Sequence, residues 1–118
     1  MKRNIFCSLV LFSLLFVGSQ AIFAQTDTLY GRVTDTNGNG IAYVTVTIYE
    51  TGNYPFCPDG KTITALTSPF GYYSATIDYY CTGIITPSAK QYTFTPNARV
   101  IFFGTQDYSN VTFVGTHD

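Results

Sequence analysis

The segment Asp35-Thr36-Asn37-Gly38-Asn39-Gly40 places oxygen-bearing side chains at alternate positions before a glycine. Calcium-binding loops use this spacing to present oxygen ligands to a hard cation. Such a loop also needs a bidentate glutamate at its twelfth position, which here is Val46. Asn-Gly pairs supply the positive φ angles of tight hairpin turns. The segment is therefore predicted to be a hairpin turn, with Asp35, Asn37 and Asn39 as weak candidates for a calcium site.

Tyrosine is the other residue type here that could bind a ligand, because exposed aromatic rings can stack on sugar rings. Tyr43 and Tyr49 are predicted to face outward on one strand and Tyr72 on another, and Tyr54 falls in a loop. These four are the candidate residues of a carbohydrate site. The alternative is that tyrosine simply suits a half-wet, pleated surface and cross-strand packing.

Residues that could perform covalent or acid–base chemistry are few. The one histidine, His117, is next to the last residue, and no serine or cysteine has a base beside it at motif spacing. Glu50 and Asp78 fall at predicted strand ends, where we expect solvated carboxylates, and the other acidic residues are scattered singly. The sequence therefore predicts no catalytic residue, no enzyme and no cofactor.

The first 24 residues have the order of a secretory signal peptide. Lys2 and Arg3 precede an apolar run over residues 5–17, and small residues follow as far as Ala24. The run is shorter than the roughly 20 residues that a spanning helix needs. We expect cleavage after Ala24, hence no membrane insertion and a secreted protein, whether periplasmic, cell-surface or extracellular. An uncleaved anchor is the alternative.

Loss of residues 1–24 leaves four basic residues against seven acidic ones, a net charge near −3. Such a surface lacks the clustered lysine and arginine that nucleic acid requires. Two cysteines also remain, Cys57 in the Pro- and Gly-rich loop 51–60 and Cys81. In an exported protein such a pair predicts a disulfide, which would contribute roughly 3 kcal/mol by closing a loop of this length.

Residues 25–118 are enough for one domain and are rich in the residues that favour strands. The segment from Ile41 to Glu50 alternates, with Val44, Val46 and Ile48 on one face. The other predicted strands are Leu29 to Thr34, Lys61 to Thr67, Tyr72 to Tyr79, Gly83 to Thr86, Gln91 to Thr95, Arg99 to Phe103 and Asn110 to Val114. Seven to eight short strands separated by turn residues predict an all-β, antiparallel two-sheet sandwich.

Several motifs follow one another in a recognisable order. They are Gly31-x-Val33-x-Asp35-x-x-Gly38-x-Gly40-Ile41-x-x-Val44-x-Val46, Gly71-Tyr72-Tyr73, Ile85-Thr86-Pro87-Ser88, Tyr92-Thr93-Phe94-Thr95-Pro96 and Asn110-Val111-Thr112-Phe113. This order resembles secreted bacterial carboxypeptidase regulatory-like domains, which are similar in architecture to transthyretin-like and Cna-B-type sandwiches. The chain departs from the family pattern at packing and turn positions, namely Ser68, Ala75, Gly83 and Gln91. The resemblance implies an Ig-like or transthyretin-like domain over residues 25–118, used as an accessory, stalk or binding module without peptidase activity.

These observations together predict a secreted, non-catalytic β-sandwich that works by contact. We expect a structural or protein-interaction module at the cell surface or outside the cell, acting as a monomer on a protein or glycan partner. The alternative is a carbohydrate-binding module that uses Tyr43, Tyr49, Tyr54 or Tyr72.

Overall fold

The computed structural model describes residues 25–53 and 55–118, so the predicted signal peptide and Tyr54 lie outside the described residues. Eight β-strands make up the described part of the chain. They are β1 (Thr26–Asp35), β2 (Thr45–Thr51), β3 (Lys61–Leu66), β4 (Tyr72–Asp78), β5 (Thr82–Ser88), β6 (Tyr92–Thr95), β7 (Arg99–Phe102) and β8 (Tyr108–His117). Over these same residues no helix is long and apolar enough to span a membrane.

The strands form two four-stranded sheets that pack face to face. Sheet 1 has the order β4-β1-β8-β6 and sheet 2 the order β3-β2-β5-β7. All neighbouring strands are antiparallel except β1 and β8, which run parallel, with Val33 opposite Phe113. The prediction of purely antiparallel sheets was therefore wrong for this pair. Six other strands separate β1 from β8 in the sequence, so no hairpin forces them to be antiparallel.

The hydrophobic core lies between the inner faces of the two sheets. Val44, Val46 and Ile48, which the alternation placed on one face, are fully buried. Leu29 and Phe113 of sheet 1 belong to the same buried cluster. The period-two pattern therefore assigned the inner face of this part of sheet 2 correctly.

The strand predicted to begin at Ile41 begins four residues later, at Thr45. Tyr43 has a φ of 60°, which interrupts an extended strand, and its N–H donates to the carbonyl of Thr67 at 3.0 Å. Tyr43 therefore belongs to a turn and not to a strand, contrary to the sequence-based expectation. Its side chain is still exposed, because the turn lies at the surface.

Candidate functional site

The segment after β1 forms the predicted turn. The carboxylate Oδ1 of Asp35 accepts the backbone N–H groups of Asn37 and Asn39, each at 2.9 Å. The N–H of Asp35 donates to the carbonyl of Asn39 at 2.7 Å, and Gly38 has a φ of 86°. The carboxylate thus holds the turn closed. Among residues 25–53 and 55–118 no group of three or more His, Cys, Asp or Glu side chains could hold a metal ion.

The described candidate tyrosines do not lie together. Tyr49 is exposed on the outer face of sheet 2, and Tyr72 is exposed on the outer face of sheet 1. Tyr43 lies in the turn before β2, and Tyr54 lies outside the described residues. Because Tyr49 and Tyr72 face opposite sides of the sandwich, these two rings cannot share one ligand.

Cys57 and Cys81 form the predicted disulfide, with their Cα atoms 5.1 Å apart. An aromatic residue precedes each cysteine, and the two rings meet edge to face. The ring centroids of Phe56 and Tyr80 are 5.8 Å apart at an interplanar angle of 79°. The bridge therefore fixes the spacing of two exposed rings, which the sequence could have indicated through the Phe-Cys and Tyr-Cys pairs.

These rings form the walls of a cleft at the disulfide end of sheet 2. The cleft has a volume of about 510 Å³ and is lined by Gly52, Asn53, Phe56, Tyr80, Thr82 and Phe102. Phe56 is 67% exposed and Phe102 is 61% exposed, so both rings are available to a partner. This cleft, which we call the aromatic cleft, was not predicted from the sequence.

The aromatic cleft continues onto the outer face of sheet 2. Cross-strand pairing places Tyr49, Ile84 and Val100 in one row. The other outward positions in register with it are Thr45, Thr47, Thr51, Thr62, Thr64, Leu66, Thr82, Thr86, Ser88 and Phe102. None of these side chains is charged. Uncharged surfaces with clustered exposed apolar side chains mark interaction sites on soluble proteins.

A second cleft, the tyrosine groove, crosses the β4 edge of sheet 1. It has a volume of about 400 Å³ and is lined by Tyr30, Gly31, Leu66, Ser68, Tyr72, Tyr73 and Ser74. Tyr30 pairs with Ser74, and Arg32 pairs with Tyr72, so the two exposed tyrosines are diagonal neighbours. The guanidinium carbon of Arg32 lies 4.7 Å from the centroid of the Tyr72 ring. The groove therefore combines aromatic rings with hydroxyl groups and a nearby cation.

Glu50 and Asp78 are buried, contrary to the prediction that they are solvated. Glu50 lies on β2 of sheet 2 and Asp78 on β4 of sheet 1, and the N–H of Asp78 donates to Oε2 of Glu50 at 2.8 Å. The Nζ of Lys61 donates to Oδ2 of Asp78 at 3.0 Å. Position 50 extends the buried series 44, 46, 48, and this was the signal available in the sequence.

The environment of Glu50 changes its acidity. Burial, together with the neighbouring Asp78 carboxyl, raises the pKa of the Glu50 carboxyl to about 7, against the lowering effects of the Asp78 N–H and Lys61. A carboxyl that titrates near neutrality is typical of a catalytic acid. Glu50 is fully buried, however, and lines neither cleft. The geometry favours a polar link between the sheets.

No protein-family model matches the chain, and no curated protein matches it either. Among solved structures the chain resembles chlorocatechol 1,2-dioxygenase from Pseudomonas putida, with a TM-score of 0.56 and 7% sequence identity. The similarity covers 80% of this chain and 61% of the dioxygenase chain. At this level of identity the likeness concerns the fold alone.

Proposed function

We propose that residues 25–118 are a secreted, non-catalytic module that binds another protein, at the cell surface or outside the cell. The observation that carries the proposal is the uncharged outer face of sheet 2, which ends in the aromatic cleft. Contact surfaces between proteins are depleted in charge at their centre and enriched in aromatic residues. The disulfide supports export, because such bonds persist in oxidising compartments.

The ring geometry favours a protein partner over a sugar at the aromatic cleft. A sugar ring stacks on a flat aromatic face, whereas Phe56 and Tyr80 meet edge to face and leave no continuous platform. Exposed aliphatic side chains, Ile84 and Val100, continue the surface beyond the rings. A protein partner can fill such an irregular apolar surface with side chains of its own.

The aromatic cleft is also held in place before any partner arrives. Gly52 packs against the side chain of Cys57, where a Cβ atom would come within 2.8 Å of the sulfur. The N–H of Gly60 donates to the carbonyl of Glu50 at 2.8 Å, and this contact anchors the far side of the loop. A loop fixed in this way loses little conformational freedom on binding, and preorganisation of this kind raises affinity.

Site-specific photo-crosslinking tests the proposal. In one variant benzoylphenylalanine replaces Phe56, and in the matched control it replaces Phe70, an equally exposed phenylalanine in the turn at the opposite end of the sandwich. Each oxidised variant is illuminated with the envelope and medium of the producing cell. We expect the variant at position 56, and not the variant at position 70, to form a covalent adduct with a protein of defined mass. An excess of wild-type protein, which lacks the photo-crosslinker, should prevent this adduct from forming. Equal adducts from both positions, or none from position 56, would contradict the proposal.

The tyrosine groove supports a second candidate function, carbohydrate binding. Tyr30 and Tyr72 flank Ser74, so two rings and a hydroxyl converge on one groove. A glycan array probed with wild type and with Tyr72→Ala tests this function, with Tyr49→Ala, on the opposite face, as the control. Binding that Tyr72→Ala removes and Tyr49→Ala leaves intact would establish a sugar site in the groove. A blank array would leave the protein partner as the function.

A further inference from the structure

The turn after β1 contains two adjacent Asn-Gly pairs, Asn37-Gly38 and Asn39-Gly40, and both asparagines are exposed. Asparagine is among the chemically labile residues of proteins. A glycine that follows it has no Cβ atom to shield its backbone nitrogen from the asparagine side chain. The two pairs would react alike in an unstructured chain. In the folded protein they differ, because the peptide group that joins each asparagine to its glycine is held differently.

The peptide group between Asn37 and Gly38 has room to rotate, as it must if the glycine nitrogen is to face the asparagine Cγ. In the part of the chain that the structure describes, one hydrogen bond is recorded for this peptide group. It runs from the N–H of Gly38 to the carbonyl of Asp35, at 3.1 Å. A Cβ atom at position 38 would meet nothing within 4 Å, so the space around the glycine is open.

The peptide group between Asn39 and Gly40 is fixed on both sides. The carbonyl of Asn39 accepts the N–H of Asp35 at 2.7 Å. Gly40 forms a bridge with Thr34, and a Cβ atom on Gly40 would collide with the carbonyl oxygen of Phe70. Rotation of this peptide group would break the hydrogen bond and push Gly40 against the neighbouring turn. The exposure of the Asn39 side chain therefore does not make it reactive.

We propose that Asn37 is a site of spontaneous deamidation and that the fold protects Asn39 from the same reaction. The nitrogen of Gly38 gives its proton to solvent and bonds to Cγ of Asn37. The side-chain nitrogen of Asn37 takes up a proton and leaves as ammonia, and a five-membered succinimide remains. Water then hydrolyses this ring. Opening at Cγ gives aspartate, and opening at the main-chain carbonyl carbon gives isoaspartate.

The products would alter the turn end of the sandwich. Both add a negative charge two positions after Asp35. Isoaspartate also lengthens the backbone by one carbon between the N–H of residue 37 and that of Asn39. The carboxylate of Asp35 accepts both N–H groups, each at 2.9 Å, so the turn must relax. The aromatic cleft lies at the other end of the sandwich, and the proposal is therefore independent of the partner protein.

Mass spectrometry of ageing protein tests the proposal. The oxidised protein is incubated at mildly alkaline pH, sampled over time and digested with trypsin. Cleavage after Arg32 and Lys61 releases both asparagines on one peptide. Fragment ions then locate the exchange of an NH2 group for OH, and electron-transfer fragmentation distinguishes aspartate from isoaspartate. One control is the same chain, reduced and held unfolded in denaturant. The matched variant is Asn37→Gln, whose longer side chain cannot close a five-membered ring.

We expect Asn37 to react about tenfold faster than Asn39, or more, in the folded protein. An additional hydrogen bond and a packing contact must break before the peptide group after Asn39 can rotate. In the unfolded chain the two rates should converge, and Asn37→Gln should leave position 37 unmodified. Equal rates in the folded protein, or faster conversion of Asn39, would overturn the proposal. An Asn37 that stays intact in the folded protein and reacts in the unfolded chain would overturn it as well.

Discussion

Buried polar side chains at the two ends of the sandwich differ in how completely they are hydrogen-bonded. At the turn end, the buried Thr67 hydroxyl donates to the carbonyl of Ile41 at 2.7 Å and accepts the N–H of Val44 at 2.8 Å. At the disulfide end, the buried Glu50 carboxyl accepts one N–H through Oε2, while its Oε1 has no hydrogen-bond partner among the described residues. The buried group at the turn end is thus a neutral hydroxyl with its hydrogen bonds satisfied. The buried group at the disulfide end is an ionisable carboxyl with one oxygen that has no hydrogen-bond partner among the described residues.

This contrast indicates which end of the sandwich is purely structural and which end is adapted to the proposed binding function. A satisfied hydroxyl adds stability at little desolvation cost, whereas a buried carboxyl with an unpaired oxygen costs free energy. The disulfide lies at the same end as this cost, close to the aromatic cleft. Locally unfavourable features concentrate where function constrains a fold. The comparison therefore supports the proposal that a binding surface lies at the disulfide end, and four predictions test the contrast between the two ends.

Removal of the disulfide should have the largest effect. We expect Cys57→Ser combined with Cys81→Ser to lower the free energy of unfolding by roughly 3 kcal/mol, because the unfolded chain regains the freedom of the closed loop. Urea denaturation of the oxidised wild type and the double variant measures the difference. Wild type reduced with a thiol reagent is the control, and it should match the double variant. A difference close to zero would mean that backbone contacts such as Gly60 to Glu50 hold the loop unaided.

Neutralisation of Glu50 should change how stability depends on pH. Its pKa is raised from 4.5 to about 7 in the folded state, so the folded protein binds more protons than the unfolded chain between these values. Stability that is fully present below pH 4.5 is then lost as the pH rises through 7, by roughly 3 kcal/mol at most. We expect the free energy of unfolding of Glu50→Gln to depend less steeply on pH than that of wild type. The variant should also be more stable than wild type at pH 8. Denaturant unfolding at a series of pH values measures both effects.

Asp27 provides the control for the Glu50 prediction. Burial and the nearby Asp107 carboxylate raise the pKa of Asp27, so its contribution to the slope has the same sign. Glu50→Gln should therefore reduce the slope, and Glu50→Gln combined with Asp27→Asn should reduce it further. If Asp27→Asn alone removed the whole slope, Glu50 would not be the group that titrates near neutrality, and the contrast between the two ends would be weaker.

At the turn end, two glycines separate backbone strain from crowding. Gly38 and Gly71 both have φ near 85°, but a Cβ at position 38 meets nothing within 4 Å, whereas one at position 71 would collide with the carbonyl of Val33. We expect Gly38→Ala to lower the free energy of unfolding by about 1 kcal/mol, and Gly71→Ala to lower it by about 1–2 kcal/mol more. Thermal unfolding of both variants measures the costs. Equal costs would show that the turn end can adjust, and that it is not the rigid scaffold described above.

The sequence predicted the strands well because their signals are local. Alternation identified the buried face formed by Val46 and Ile48, and turn residues marked most of the strand limits. Tyr43 was misplaced because a tyrosine at φ 60° breaks a strand that its neighbours favour. The parallel β1–β8 pair escaped prediction because it joins the first strand to the last, and no local pattern encodes that contact.

The proposed binding surface was harder to predict because it is assembled from distant segments. The buried polar link between the sheets was missed for the same reason, since Glu50 and Asp78 are 28 residues apart in sequence. The aromatic cleft combines the loop at Phe56, the turn after β4 at Tyr80 and the end of β7 at Phe102. Composition and spacing identified tyrosine as a candidate ligand residue, but they could not show that Tyr49 and Tyr72 face opposite sides of the sandwich.

The smallest predicted effect concerns Asp35 at the turn end. Asp35→Ala removes the acceptor of two backbone N–H groups and should cost about 1 kcal/mol, whereas Asp35→Asn keeps an acceptor oxygen and should cost little. The melting temperature of wild type should be the same in calcium and in chelator, because the turn already uses this carboxylate. If calcium raised it for wild type and not for Asp35→Asn, the segment would be a cation site. The turn end would then be a second functional region of the sandwich, and the contrast between the two ends would no longer hold.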